Sequence, residues 1–388
     1  MFTVGLEDFS GEEDVLDGLG PRFNFVACGG CHIHPAVGGT SPAVNPLFRV
    51  TNDLGFTGNV IPPFITLNGP IREARFQYNP DGSRDGGVHP LFVITGHPDA
   101  AGCNIKQENF QKQIDNYNII FRIPTPVFGA GLIEQIPGGA ILANLSAYSF
   151  TKSQLGISGR VNRNGNDGTI TRFGWKAQNQ SLLIFSAEAY NVEMGITNEG
   201  FQQEREETCQ FATVPNDVTP SVNKIGAIEN FANFQRFLAP AAPAAYGYGK
   251  VSAFSIARGR QKFTDVGCAL CHTPTLKTGN STVAALRYKN ANLYSDLALH
   301  AMGPGLADDI VQGLARGDEF RTAPLWGLGQ RLFFLHDGRT SDLLEVIQAH
   351  RSGGNSKFGP SEANAVIDKF NRLDEDDKQD LLNFLRSL

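Results

Sequence analysis

The sequence predicts a mainly α protein of two tandem domains, the first enlarged by long loops and short β hairpins. Three observations carry that expectation: a Cys-x-x-Cys-His motif that occurs twice, matching echoes around both copies, and an Ala/Pro/Gly-rich stretch between them. The 388 residues suffice for two or three domains that each bury a core. The 33 basic and 39 acidic residues leave a formal charge of −6 without a Lys/Arg run, so nucleic-acid binding has no electrostatic footprint. Gly (43) and Pro (21) are abundant, but 28 Phe supply core material, which argues for turns rather than disorder. No apolar run approaches the roughly 18–20 residues of a membrane span. The opening MFTVGLEDFSGEEDV lacks the basic start and apolar stretch of a signal peptide.

Along the chain, residues 1–238 form the expected first domain. It carries Cys28-Gly-Gly-Cys31-His32 and an Asn/Gly-rich segment at 160–172 that reads as a turn or short hairpin. Residues 239–250 read as a linker, within Leu238-Ala-Pro-Ala-Ala-Pro-Ala-Ala-Tyr-Gly-Tyr-Gly249. The second domain, 251–388, opens with a helix from Ser252 to Phe263 leading into Cys268-Ala-Leu-Cys271-His272, with Gly259 placed for close packing by another helix. The partner is the last segment, where Asp374 can cap and Leu381, Leu382, Leu385 and Leu388 share one face. The echoes align Phe23-Asn-Phe-Val26 with Phe263-Thr-Asp-Val266. They also align Phe121-Arg122 and Pro126-Val-Phe-Gly129-Ala-Gly131 with Phe320-Arg321 and Pro324-Leu-Trp-Gly327-Leu-Gly329.

Cys-x-x-Cys-His is the spacing of covalent c-type haem attachment: two thiols add to the porphyrin vinyl groups and the His becomes the proximal iron ligand. Chance yields roughly 0.002 such motifs in a chain of this composition. A redox dithiol or half a zinc site are the alternatives, but the pairs lie far apart and each has its own His. The expectation is therefore two covalently bound haem c groups on two tandem cytochrome c-like domains. Such groups are assembled outside the bacterial cytoplasm, which places the protein in the periplasm or another extracytoplasmic compartment. The lack of a signal peptide then points to a mature or trimmed chain. Cys103 and Cys209 remain as a disulfide pair, two free thiols being the alternative.

FRTAPLWGLGQRLFFLHDGRTSDLLEVIQAH resembles the bacterial di-haem cytochrome c peroxidase superfamily. CGGCHIHPAVGGTSPAVNP, RFGWKAQ, EAYNVEMGITNE and LYSDLALHAMGPGLADD resemble its di-haem oxidoreductase branch, also called thiol oxidoreductase-like. The resemblance implies a His-Asp-Gly turn, matched by His336-Asp337-Gly338, and a distal ligand of the C-terminal haem further on, where His350 stands in place of Met or Tyr. His300 and Met302 are rival ligands. The resemblance also implies peroxide reduction at the His32 haem, with electrons relayed from the C-terminal haem. Glu134, after the repeated turn, is the candidate proton shuttle, and Gln135 a helper. His89 and His97 are candidates to cap the His32 iron at rest.

Of the two tryptophans, Trp175 is the expected inter-haem bridge and Trp326 the alternative. Arg122 and Arg321 are candidate partners of haem propionates. Calcium occurs in relatives, but no acidic cluster predicts it here. Expected partners are peroxide or a small oxidisable substrate, and a small redox protein (a cytochrome c or a cupredoxin) as donor; a homodimer is left open. Two other functions compete: oxidation of an organic or protein substrate through high-valent iron, and non-catalytic electron transfer.

Overall fold

The structure, a computed structural model, describes residues 1–204, 207–219, 225–244 and 246–388. Ala245 of the expected linker therefore lies outside the described residues. Helices are the main regular structure, joined by long loops and small antiparallel strand groups. One such pair, Asn162–Arg163 with Ile170–Thr171, closes the Asn/Gly-rich turn read at 160–172. No helix among the described residues is long and apolar enough to cross a membrane.

Two compact units divide the chain. The first comprises Met1–Val127, Leu182–Leu238 and His336–Arg339; the second comprises Phe128–Ser181, Ala239–Leu335 and Thr340–Leu388. This differs from uninterrupted domains at 1–238 and 251–388, and the reason lies in where backbone hydrogen bonds go. Arg160 and Leu299 exchange two of them (3.0 and 2.7 Å), Gly279 N–H donates to Gln135 O (2.8 Å) and Arg321 N–H to Trp175 O (2.9 Å), which ties 128–181 into the second unit. Ile123 N–H donates to His336 O (2.7 Å), and Arg72 Nε to Asp337 O (3.1 Å), which ties the His-Asp-Gly turn into the first.

Each unit contains a pair of helices crossed at a glycine. In the second, Ser252 caps the Ala253–Val266 helix by accepting from Ser255 N–H (3.2 Å), and Asp374 caps the Glu375–Ser387 helix by accepting from Asp377 N–H (2.8 Å). A Cβ at Gly259 would collide with the Asp380 carbonyl, so only glycine allows the two backbones this close. Leu381, Phe384, Leu385 and Leu388 are buried in the contact. Arg258–Asp380 and Lys262–Asp377 ion pairs, both 2.5 Å, flank it. Gly267 ends the first helix at φ 107°, turning the chain directly into Cys268.

In the first unit the Phe2–Ser10 helix crosses the Ala227–Phe237 helix, and a Cβ at Gly5 would collide with the Asn230 carbonyl. Phe9 follows Gly5 as Phe263 follows Gly259. Phe9 lies 4.7 Å from Phe234 and 6.0 Å from His32 between ring centroids; Phe263 lies 5.4 Å from Phe384 and 6.3 Å from His272. Phe9, rather than Phe23, is thus the structural counterpart of Phe263. Phe23 belongs to a two-residue strand paired with Phe92–Val93. A glycine-to-leucine change at position 259 should force the helices apart and cost about 1–3 kcal/mol. Urea or thermal unfolding followed by circular dichroism checks this; an unchanged midpoint would contradict the close crossing.

Candidate functional site

In the first unit, Cys28–Cys31 forms a single helical turn, closed by His32 N–H donating to Cys28 O at 2.9 Å. The loop beyond folds back through a backbone bridge between His34 and Thr40 (2.9 and 2.8 Å). That bridge presents Gly39 O to His32 Nδ1 at 3.2 Å. A carbonyl only accepts, so Nδ1 carries the proton and the Nε2 lone pair is left for a metal. Burial lowers the His32 pKa to about 4, keeping the ring neutral as a ligand must be. Burial, then the charges of Glu193 and Glu13, push the Cys28 thiol up to about 12; Cys31 is also raised, chiefly by burial. Met194 Sδ lies 3.8 Å from Cys28 Sγ.

Beside these thiols stands a carboxyl pair. Glu73 and Arg75 lie on the Glu73–Phe76 strand, and Arg122 is the cross-strand neighbour of Glu73. Glu193, near the end of the Leu182–Met194 helix, faces Glu73 and accepts from Asn24 Nδ2 at 2.6 Å. Burial and the Glu73 carboxylate raise the Glu193 pKa well above the ordinary value. Burial would raise Glu73 too, but Arg75, which also donates to it, and Arg122 outweigh that and hold it low. A proton is therefore held more tightly on Glu193 than on Glu73.

The second unit repeats the anchored imidazole and adds another. His272 Nδ1 donates to Tyr294 O at 3.0 Å, and burial lowers its pKa to about 4. His350, following the Leu343–Ala349 helix that Asp342 caps, donates from Nδ1 to Val346 O at 2.7 Å, and burial lowers it as well. The two ring centroids are 6.5 Å apart. Metal–nitrogen bonds of roughly 2 Å on each side, plus about 1.1 Å from each nitrogen to its ring centre, would give about 6 Å. The spacing is therefore one at which the two rings could hold a single metal ion between them. Cys268 is pushed up to about 12 by burial. His300 is different: Nε2 is 2.9 Å from Asp296 and Nδ1 2.7 Å from Glu362, so both ring nitrogens are engaged and neither is left for iron.

Arg321 and Arg331 bring two guanidinium groups together in the same unit. Burial lowers both to about 10, with Arg331 adding to the effect on Arg321. Neither has a carboxylate partner among the described residues, and the Arg321 Nε is without a hydrogen bond. Such a pair fits a group that carries two carboxylates, as haem does.

The remaining expected residues are scattered. Glu134 and Gln135 lie at the end of the Ala130–Glu134 helix in the second unit, where Arg172 reaches the Glu134 carbonyl at 3.4 Å. Trp175 is half-buried in the second unit, and Trp326 is core, packed under Gly129. His89 bonds to Asp85 (2.8 Å) and stacks on Phe76 at 3.6 Å; His97 stacks on Phe56 at 4.5 Å. Cys103 and Cys209 are joined in a disulfide of the first unit, Cα–Cα 5.4 Å.

Sequence reasoning passed over Glu73, Glu193 and Arg331. Glu193 stood within EAYNVEMGITNE, and the acid three residues after Tyr190 was the available signal. The raised Glu193 pKa has a consequence for stability. The folded state binds this proton more tightly than the unfolded chain, so its contribution is intact below the ordinary carboxylate pKa and is lost as pH rises toward the raised value. Glu193→Gln should flatten that part of the curve of thermal midpoint against pH. A curve parallel to wild type would show that Glu193 is ionised.

The chain matches, over residues 71–388, the family described as "Di-haem oxidoreductase, putative peroxidase". No functionally curated protein matches it. Among solved structures it is similar to Kuenenia stuttgartiensis hydrazine synthase (19% identity, 42% of this chain, 55% of that chain, TM-score 0.27). It is also similar to a MauG-like protein associated with microbial copper homeostasis (17%, 60%, 78%, TM-score 0.32). A third is the diheme peroxidase BthA from Burkholderia thailandensis (15%, 56%, 65%, TM-score 0.34). The chain spans 55% of the first and 65% of the third, and at these scores the likenesses decide nothing further. The family match takes in Glu73, Glu193 and the whole of the His272–His350 site, whose anchored imidazoles and unanswered arginines suit haem. On that ground the chain belongs to the di-haem oxidoreductase family, with haem as its cofactor.

Proposed function

We propose that this oxidoreductase reduces hydrogen peroxide to water, with electrons relayed from the C-terminal haem to the N-terminal haem. One asymmetry carries the reading. His272 faces a second anchored imidazole, whereas the aromatic ring beside His32 among the described residues is Phe9, and the charge of Glu193 reaches the paired thiols Cys28 and Cys31. An iron held between two imidazoles would be suited to passing electrons; one held by a single imidazole, with a buried acid near its attachment cysteines, would be suited to binding peroxide. When bound, haem supplies the redox-active iron for the overall conversion of H2O2, two electrons and two protons to two waters.

In this reading Cys28 with Cys31, and Cys268 with Cys271, hold the two macrocycles through thioethers. His32 and His272 would each ligate an iron, with His350 as the second ligand beside His272. Arg321 and Arg331 take propionates. Arg122 is the weaker candidate, because Glu73 already answers its charge. Glu193 holds a proton that it can pass to a peroxide oxygen, while Asn24 fixes its carboxyl and Glu73 keeps that proton on Glu193. We assign this role to Glu193 in place of Glu134, because Glu193 shares the first unit with His32 and its charge reaches both Cys28 and Cys31. Trp175 remains our candidate for the electron bridge. A small redox protein as donor and an extracytoplasmic location complete the proposal.

Mass spectrometry of the holoprotein should show two covalent haems, one of them lost in each Cys-pair-to-Ser variant. Glu193→Gln should slow peroxide turnover at least ~10²-fold with the resting optical spectrum unchanged, while Glu134→Gln stays near wild type. The opposite ranking returns the role to Glu134. Both irons low-spin in every redox state, with no response to peroxide, would sink the peroxidase reading.

A further inference from the structure

One buried redox-capable group in the first unit has no part in the chemistry above. Tyr190 is 3% exposed, and its hydroxyl donates to Glu13 Oε1 at 2.9 Å. It sits one helical turn before Met194, whose sulfur touches Cys28 Sγ at 3.8 Å. A line of rings leads from it to the proximal imidazole: Tyr190 to Phe231 at 4.9 Å, Phe231 to Phe9 at 6.3 Å, Phe9 to His32 at 6.0 Å. Glu13 is tied to the same haem-binding segment, because its N–H donates to Val26 O at 2.8 Å.

We propose that Tyr190 and Glu13 form a proton-coupled redox site that gives up one electron toward the His32 centre when peroxide is reduced and the external donor is exhausted. The inference rests on the peroxidase reading and deepens it. The balance takes two electrons: Tyr190 gives one and the haem centres of the proposed relay give the other. Peroxide takes both with two protons, from Glu193 and from solvent, to leave two waters. The phenolic proton moves across the existing hydrogen bond to the Glu13 carboxylate. The products are a neutral tyrosyl radical and a protonated Glu13. An electron from the donor later reverses both transfers.

The surroundings favour this division. An oxidised phenol is a strong acid and needs a base already in hydrogen-bond contact, which Glu13 provides. Burial raises the Glu13 pKa, its bond to Tyr190 works against that, and Asp17, Asp217 and Asp8 raise it further, so it takes a proton more readily than an ordinary carboxylate. Glu13 is half-buried, on the edge of solvent, while the phenol ring is enclosed and shielded from quenching. A hydrogen bond that served structure alone would not need the ring line to His32.

The test is to add peroxide to the di-haem holoprotein without donor, following the haem optical bands and the organic-radical region of the EPR spectrum together. Wild type should give a tyrosyl signal that narrows when the tyrosines are ring-deuterated, and that disappears in Tyr190→Phe with the resting haem bands unchanged. Glu13→Gln, which can accept the hydrogen bond but not the proton, should lower the radical yield at least about tenfold. If the haem bands respond to peroxide but no tyrosyl signal forms, or the signal survives in Tyr190→Phe, the inference is overturned and the peroxidase reading stands. If Tyr190→Phe does not fold, the wild-type signal must still narrow on deuteration and fall in Glu13→Gln; failure of either overturns the inference. Haem bands that ignore peroxide overturn the peroxidase reading, and the inference with it.

Discussion

Everything proposed for this chain depends on three backbone carbonyls. Gly39, Tyr294 and Val346 each accept from the Nδ1 of an imidazole, and a carbonyl bonded to Nδ1 fixes both the tautomer and the direction of the ring. Without that bond a buried neutral His could rotate or present the wrong nitrogen. Each carbonyl is placed by structure local to its site: the His34–Thr40 bridge, the loop ending at Tyr294, and the last turn of the Leu343–Ala349 helix. The crossed helices supply the second constraint, because Phe9 and Phe263 wall the imidazoles only where Gly5 and Gly259 let the helices close.

Charge is arranged oppositely in the two units. In the first, Arg75 and Arg122 hold the Glu73 carboxyl low, while burial and the Glu73 charge raise Glu193, whose charge reaches Cys28 and Cys31. In the second, Arg321 and Arg331 sit together with no carboxylate partner among the described residues, while His300 is enclosed by Asp296 and Glu362. Buried like charges are costly, so both arrangements mark places where something beyond fold stability is at stake.

Much of the second unit was readable in advance, because its determinants are local or helical. The helix that starts near Ser252, the Asp374 cap, the crossing at Gly259 and the face of Leu381, Leu385 and Leu388 follow from spacing on single elements, whereas Leu382 is half-buried and Phe384 fills that side of the contact. The first unit was harder to read, because a long segment separates its crossing helix from Cys28 and so hides the kinship of Phe9 with Phe263. A motif comparison anchored on Cys28 aligned Phe23 instead. Glu134 drew attention as the acid after a repeated turn. Glu193 was passed over because its partners Asn24 and Glu73 are contributed from distant parts of the chain.

By itself the sequence determined which residues could ligate and attach a cofactor, since the Cys-x-x-Cys-His spacing binds thiol and imidazole chemistry into five consecutive positions. It also determined the helices whose caps and apolar stripes are short-range patterns. Only the tertiary structure decided which carboxyl holds a proton more tightly, which ring nitrogens remain free, and which tyrosine meets a carboxylate. The physical reason is that desolvation, Coulomb interaction and hydrogen bonding act through distance in space, and the residues that set those distances are far apart in the chain.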